Sequence, residues 1–390
     1  MDIQALKQRV LQEVDAKRDE LVAMSRQIHA NPELGFQEYK ASALLTNYLE
    51  QQGFTVERGI AQLHTAFKAV YGSDKPVIAF CAEYDALPQL GHACGHNLIA
   101  CAAVGAGLAA KAIQRETGGT FIVYGCPAEE IEGGKAYMVN RDAFQGIDAA
   151  MIVHPGVRNT VIAFALARVG LDVEFFGKPA HAAARPHDGI NALDAMVMAF
   201  NGINALRQQK RDRARVHGII TDGGEAANTI PAHTAGTFMV RAEDNEYLEV
   251  LQDRVLNCFK AAAQATGCRL EYQWAEVAYD AMRTNVALAG AFAENLKALG
   301  REIHPPDASR GMGSTDMGNV SAVAPAIHPS IAIAPEEVAG HSPEFREASI
   351  TEEAWLGLTD GAKAMAMTAI DLILQPGLLE KVKEEFKKKA

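Results

Sequence analysis

Side chains that bind metal ions or move protons gather in a few short stretches of this chain. Asp85, His92, Cys94 and His96 follow one another closely, Glu129 and Glu130 are adjacent, and His154 and His341 stand farther on. A thiolate, imidazoles and carboxylates drawn from separate loops form a ligand set suited to Zn²⁺ or Mn²⁺, and the soft sulfur of Cys94 favours Zn²⁺. Five candidate ligands, Cys94, His96, one of the glutamates, His154 and His341, are more than one tetrahedral zinc ion needs. A pair of metal ions about 3.5 to 4 Å apart would use them all, polarising a carbonyl and lowering the pKa of a shared water from about 15.7 towards about 7. That is the chemistry of a hydrolase. Neighbouring residues outside a helix point in different directions, so only one of Glu129 and Glu130 need bind metal, and Glu129 is read as the general base.

These residues sit where the apolar pattern breaks. The run Val77 to Ala82 reads as a buried strand that hands over to the loop bearing Asp85, Cys94 and His96, and a small-residue helix follows from about Asn97 to Gln114. Thr120 to Gly125 is a second buried strand, ending in Cys126-Pro127-Ala128-Glu129-Glu130, and Ala149 to Val153 ends in His154. Strand, helix, strand alternation predicts a largely parallel sheet whose strand ends, and therefore whose polar clusters, share one edge. Upstream, Leu6, Val10, Val14, Leu21, Met24 and Ile28 recur at helical spacing until Pro32, then come a helix near 37–52 and a strand near 65–71. From about Arg168 the order becomes strand, helix, strand, strand, helix, strand, the ferredoxin-like unit. A two-domain α/β protein is expected, with residues 1–165 and 282–390 forming the metal-bearing domain and 166–281 inserted into it.

Composition narrows the function. The 390 residues are 48% hydrophobic, enough for two cores, and 48 acidic against 37 basic residues give a net charge of -11, which argues against a nucleic-acid partner. Met1 to Val10 lacks the apolar stretch of a signal peptide, and the run Leu98 to Ala110 is too short and glycine-rich to span a bilayer, so no membrane role is expected. Six scattered cysteines without scaffold spacing fit a reducing compartment, and the cytoplasm is the expected address.

Seven motifs carry a family resemblance: Ile28-His29-Ala30-Asn31-Pro32-Glu33-Leu34, Tyr84-Asp85-Ala86-Leu87-Pro88, His92-Ala93-Cys94-Gly95-His96, Pro127-Ala128-Glu129-Glu130, Val153-His154, Ala180-His181-Ala182 and His341-Ser342-Pro343. In this order, over nearly the whole chain, they resemble the metallopeptidase family of aminoacylases and zinc carboxypeptidases, specifically its amidohydrolase branch, which cleaves N-acyl amino acids. The resemblance implies a zinc-peptidase-like mixed sheet flanked by helices, with the inserted unit as a lid and dimerisation domain. It implies that Cys94, His96, Glu130, His154 and His341 hold two divalent metal ions, Zn or Mn, that Asp85 supports them, and that Glu129 is the proton shuttle. It also implies that His181 stabilises the tetrahedral intermediate and often reaches a partner subunit's site, and that Asn228 and Arg241 grip the substrate carboxylate. An arginine fork and an amide donor suit a planar carboxylate. The expected partners are a small amide substrate with a free carboxylate and a second copy of the chain.

Members of the amidohydrolase branch commonly have Asp and a second His after the Cys-Gly-His element, whereas this chain has His96-Asn97-Leu98-Ile99. Together with the run Gly313-Ser314-Thr315-Asp316-Met317-Gly318-Asn319-Val320-Ser321, which overlaps the glycine-rich loop Gly311 to Gly318, this resembles the subgroup of dipeptidase-like members and aminobenzoyl-glutamate hydrolase subunits. Asp316 in that loop is read as a substrate-binding residue, with turn capping as its other reading. Two rival functions stand beside the metallohydrolase. One is an amidase with Cys94 as nucleophile, for which the closeness of His96 is geometrically awkward. The other is a non-catalytic metal-dependent binding or scaffold protein, which has no need of a proton shuttle at Glu129.

Overall fold

A computed structural model describes residues 2–307 and 312–389; Met1 and Gly311 lie outside the described residues. The chain separates into two compact units, one made of the residues up to Phe164 and from Met282 onward, the other of Ala165–Ala281. Its strands are β1 (Thr55–Arg58), β2 (Phe67–Tyr71), β3 (Val77–Glu83), β4 (Thr120–Cys126), β5 (Ala149–Met151), β6 (His154–Gly156), β7 (Ala167–Phe176), β8 (Arg215–Asp222), β9 (His233–Ala242), β10 (Arg269–Trp274), β11 (Ala326–Ile327) and β12 (Ser330–Ala332).

In the larger unit six strands lie in the order β1-β2-β4-β3-β5-β11. The four strands from β4 to β11 are parallel, and β2 and β1 add an antiparallel edge. The sheet is thus mixed. Alternation of strand and helix holds only from Val77 onward; before it, β2 passes to β3 without a crossover helix, which forces the antiparallel direction. The central strands β3 and β4 are buried along nearly their whole length, as continuous apolar runs between covered faces must be. His154 does not extend β5. It opens β6, which pairs with β12 in a separate two-stranded sheet, where the His154 N–H donates to Pro329 O at 2.9 Å.

The helix His96–Thr117 is long and apolar enough to cross a membrane, but 89% of its apolar window is buried inside the protein. It packs on the helices Ile3–Ala30 and Glu352–Leu374, and it can do so because it is built from small residues. At Gly105 a Cβ would already come within 2.9 Å of Leu21 Cδ1 and 3.1 Å of Ala362 Cβ. The six cysteines are all free thiols.

The smaller unit is an antiparallel sheet of order β10-β7-β9-β8 with the helices Ala192–Leu206 and Asn245–Thr266, in the order strand, helix, strand, strand, helix, strand. Alternation along β7 buries Val169, Leu171, Val173 and Phe175 against those helices and turns Asp172 and Glu174 outward. Each helix begins at a side-chain cap: Asn191 accepts the Leu193 N–H at 3.0 Å, and Asp244 accepts the Tyr247 N–H at 2.7 Å.

The register of β2 against β4 places Phe67 opposite Gly125, and the Phe67 ring, itself stacked on Tyr84, lies where a Gly125 side chain would go. A Cβ at Gly125 would stand 2.1 Å from two ring carbons, so Gly125→Ala forces the ring off its seat beside the strand end that carries Glu129. Overpacking of this kind costs roughly 1–3 kcal/mol. Chemical denaturation should show that loss, and a Gly125→Ala protein as stable as the parent would contradict the packing.

Candidate metal centre

The strand β3 delivers Asp85 two residues past its end, and Asp85 binds two other segments together. Its Oδ1 accepts the His96 Nδ1–H at 2.9 Å and its Oδ2 accepts the Glu130 N–H at 3.0 Å. The first bond fixes the tautomer of His96 and leaves Nε2 free to ligate. That Nε2 is buried, has no hydrogen-bond partner, and lies 3.6 Å from Glu130 Oε1. Gly95, with φ of 80°, turns the loop into the helix at His96, and a Cβ there would meet Pro155 Cγ at 2.5 Å. Only glycine allows that left-handed turn together with so close an approach. It brings Cys94 to His154.

The His154 Nδ1–H donates to Pro155 O at 2.7 Å, so its Nε2, 3.3 Å from Cys94 Sγ, is the ligating nitrogen. The His341 N–H donates to Ala93 O at 3.0 Å, which lays the C-terminal loop against the first one, with His341 Nε2 3.6 Å from Glu130 Oε2. His341 and Ala128 both adopt positive φ, 58° in each case, a strained backbone for residues with side chains. The Ala128 strain is held by Glu38, whose Oε1 accepts the Ala128 N–H at 2.8 Å and whose Oε2 accepts the Thr65 hydroxyl at 2.8 Å. Burial and the nearby Asp85 raise Glu38 to about 7.

The donor set fits a pair of divalent cations. Ligand atoms of Cys94, His96 and His154 lie within 4.8 Å of one another, as do those of Cys94, Glu130 and His341, and those of His96, Glu129 and Glu130. The first two groups share Cys94, as adjacent ions sharing ligands require. Electrostatics point the same way. Burial pushes the Cys94 thiol far up, so a thiolate there needs a cation beside it. Burial, then the neighbouring His328, hold His154 down at about 3, in the neutral form that binds metal. Burial, then Glu83, Asp316 and Glu130, raise Glu129 well above the usual carboxylate range.

The structure therefore gathers Asp85, Cys94, His96, Glu129, Glu130, His154 and His341 in one place. His181, Asn228 and Arg241 belong to the smaller unit. There the exposed His181 pairs with Thr229, and the Ala182 N–H donates to Asn228 O at 3.0 Å. The His181 Nδ1 accepts two backbone N–H groups, from Ala183 and Ala184, leaving Nε2 as the outward nitrogen. Arg241 lies on β9 in register with Arg168. His92 stays outside the ligand groups, buried with its ring 6.1 Å from that of His29.

Asp316 departs from its reading as a substrate-binding residue. It is fully buried, with one oxygen accepting from Lys135 Nζ at 2.5 Å and the other from the Lys135 N–H at 2.8 Å, so both oxygens are turned to a partner inside the protein. It stands at the N-cap position of the helix Met317–Val323, but its side chain makes no capping hydrogen bond there. Four further residues at the centre are not singled out by sequence reasoning: Glu38, Glu83, Lys135 and His328. His328 stacks on His154 with ring centroids 5.3 Å apart, and Glu83 Oε2 stands 3.5 Å from His96 Nε2. A charged residue closing the apolar run of β3 and a lysine following the pair Gly133-Gly134 are the signals that the sequence offers for two of them.

Residues 79–356 match the family model described as Peptidase family M20/M25/M40. The chain belongs to this family. Among M20 relatives, the Xaa-Arg dipeptidase of Mus musculus is 39% identical over 99% of this chain and 93% of its own length. A p-aminobenzoyl-glutamate hydrolase component of Escherichia coli is 31% identical over 95% of this chain and 93% of its own length. A dinuclear metal-binding M20 peptidase from Bacillus subtilis superposes with a TM-score of 0.69 at 21% identity, covering 92% of this chain and 99% of that one. The M20 membership makes this chain a metal-dependent hydrolase of amide bonds.

Asp85→Asn sets an amide N–H against a neighbouring N–H and weakens the support of both His96 and Glu130. Loss of such a partner lowers metal affinity about 10- to 100-fold. Competition with a chromogenic chelator measures it, and an unchanged affinity would refute the bridging role.

Proposed function

We propose that this M20 hydrolase cleaves the amide bond of dipeptides whose C-terminal carboxylate is free, and related N-acyl or N-aroyl amino acids. The observation that carries this reading is the place of Glu129. It lies within ligand distance of His96 and Glu130 yet outside the groups completed by His154 and His341. Two divalent cations, Zn or Mn, held by Cys94, His96, Glu130, His154 and His341, would supply Lewis acidity towards the amide carbonyl and a nearby water. Glu129 takes the proton from the attacking water as its oxygen bonds to the carbonyl carbon, and returns it to the amine nitrogen as the C–N bond breaks. Burial suits Glu129 to both steps, because it holds the carboxyl's proton affinity high.

The smaller unit acts as lid and dimerisation domain in this account. Arg241 and Asn228 grip the carboxylate, and His181 donates through its outward nitrogen to the developing oxyanion, its own or that of a neighbouring subunit. The working form is a homodimer, and its free thiols suit the cytoplasm. The preference for dipeptides follows the name of the relative at 39% identity; an aroyl amino acid is the second reading, after the relative at 31%. The nucleophilic-cysteine reading is disfavoured because burial keeps Cys94 as a thiol when no cation is present.

Glu129→Gln should retain the metal complement of the parent and lose about 10²- to 10⁴-fold in kcat. Near-normal turnover in that variant would overturn the assignment. A panel of dipeptides, N-acyl amino acids and aminobenzoyl-glutamate should show cleavage, and the matching C-terminal amides should not be cleaved. Stoichiometric binding of every panel member without cleavage would instead establish a scaffold protein.

A further inference from the structure

Behind the metal centre lies a second cluster of acids. Oxygens of Glu83, Glu129 and Asp316, all buried, stand within 4.8 Å of one another, a set able to hold a divalent cation. A lysine is there instead. The fully buried Lys135 places its Nζ 2.7 Å from Glu83 Oε1 and 2.5 Å from Asp316 Oδ1, while its backbone N–H donates to Asp316 Oδ2 at 2.8 Å. Burial works against the charge on this lysine, but Asp316 and Glu83 outweigh it and keep the ammonium protonated.

We propose that Lys135 is the resident cation of this cluster, occupying it in place of a divalent ion and so keeping Glu129 available at the metal centre. The proposal rests on the hydrolytic reading of Glu129 and adds a positioning residue to it. Two distant segments meet at this ammonium, the end of β3 through Glu83 and the loop before the helix Met317–Val323 through Asp316, and an oxygen of Glu129 stands within 4.8 Å of the oxygens of both.

The turn leaves Lys135 little freedom. The Gly133 N–H donates to Ala128 O at 2.8 Å, and a Cβ at Gly134 would stand 1.9 Å from Pro127 O, so the chain doubles back on itself immediately before Lys135. The ammonium is therefore fixed relative to Glu129 by backbone as well as by its ion pairs. Without it, Glu83, which already lies 3.5 Å from His96 Nε2, and Asp316 would be free to join Glu129 around a further divalent ion. Glu129 would then be a ligand and lost to proton transfer. The ammonium neutralises Glu83 and Asp316, whereas free carboxylates beside the ligands would compete for the metals.

The test counts metal as well as turnover. Metal-free parent protein, titrated with Mn²⁺ in equilibrium dialysis, should take up two equivalents. Lys135→Ala should take up a third, and the same titration on Lys135→Ala/Asp316→Asn should return to two. A Lys135→Ala protein that binds only two equivalents overturns the proposal, and this count is independent of whether any amide is cleaved. If Lys135→Ala does not fold, Lys135→Met decides in the same titration, because it keeps the bulk of the side chain without its charge. The reference is the same variant loaded with only two equivalents of metal. With the third equivalent bound, its kcat should be at least about 10-fold below that reference, with KM unchanged, as expected for loss of proton transfer. Equal kcat values would show that Lys135 serves stability alone and would refute the positioning role. If the parent cleaves nothing, the hydrolytic reading fails while the metal count still judges Lys135.

Discussion

A carboxylate removed from water costs several kcal/mol unless a partner neutralises it, and this fold places Glu83, Asp85, Glu129, Glu130 and Asp316 around a single cluster of strand ends. Everything about the centre answers to that constraint. Asp85 is satisfied locally, by an imidazole on one oxygen and a backbone N–H on the other. Glu83 and Asp316 share Lys135. Burial pushes Glu83 up, but that ammonium and His96 hold it down at about 2, while burial lifts Asp316 to about 6, and both remain ionised at neutral pH. What the protein leaves to divalent cations is the negative charge of Glu130 and of a Cys94 thiolate. Neutral His154 adds a donor without adding charge, beside the imidazoles of His96 and His341.

The scaffold meets the constraint by bringing loops to one another through backbone contacts that allow little slack. Pro155 lies against Gly95, and His341 hangs from Ala93. Positive φ at Ala128 and His341 is stored strain at the two loops that supply Glu129, Glu130 and His341. Glu38 holds one of these conformations through a hydrogen bond to the strained residue itself. The centre is thus preorganised by groups that do not themselves touch metal, as the partners of metal ligands generally are.

Much of this is legible in the sequence, and the reasons for success and failure are physical. The strands β3 and β4 are apolar on both faces, so they announce themselves as unbroken runs, and the polar residues that follow them mark the strand ends where the metal ligands lie. The antiparallel edge is less legible. β1 is a short strand of mixed polarity, Thr-Val-Glu-Arg, and carries no periodic signal. Glu83, Lys135 and Glu38 escape a sequence reading because a buried charge is recognisable only with its partner, and these partners are far apart in sequence. Asp316 misleads for the same reason: in a glycine-rich loop it suggests exposure, but a lysine 181 residues away claims it. His328 follows the two-residue strand β11, too short to signal a strand end.

The central claim is that the buried acids, the thiol and the imidazoles form a centre that hydrolyses amides only when two divalent cations complete its charge. Titrating metal-free protein with Zn²⁺ or Mn²⁺ while following hydrolysis of a dipeptide tests this most directly. The account predicts no turnover in the metal-free protein and a rate that climbs to its plateau at two equivalents of metal. Full turnover after exhaustive chelation, or a plateau reached at one equivalent, would contradict it.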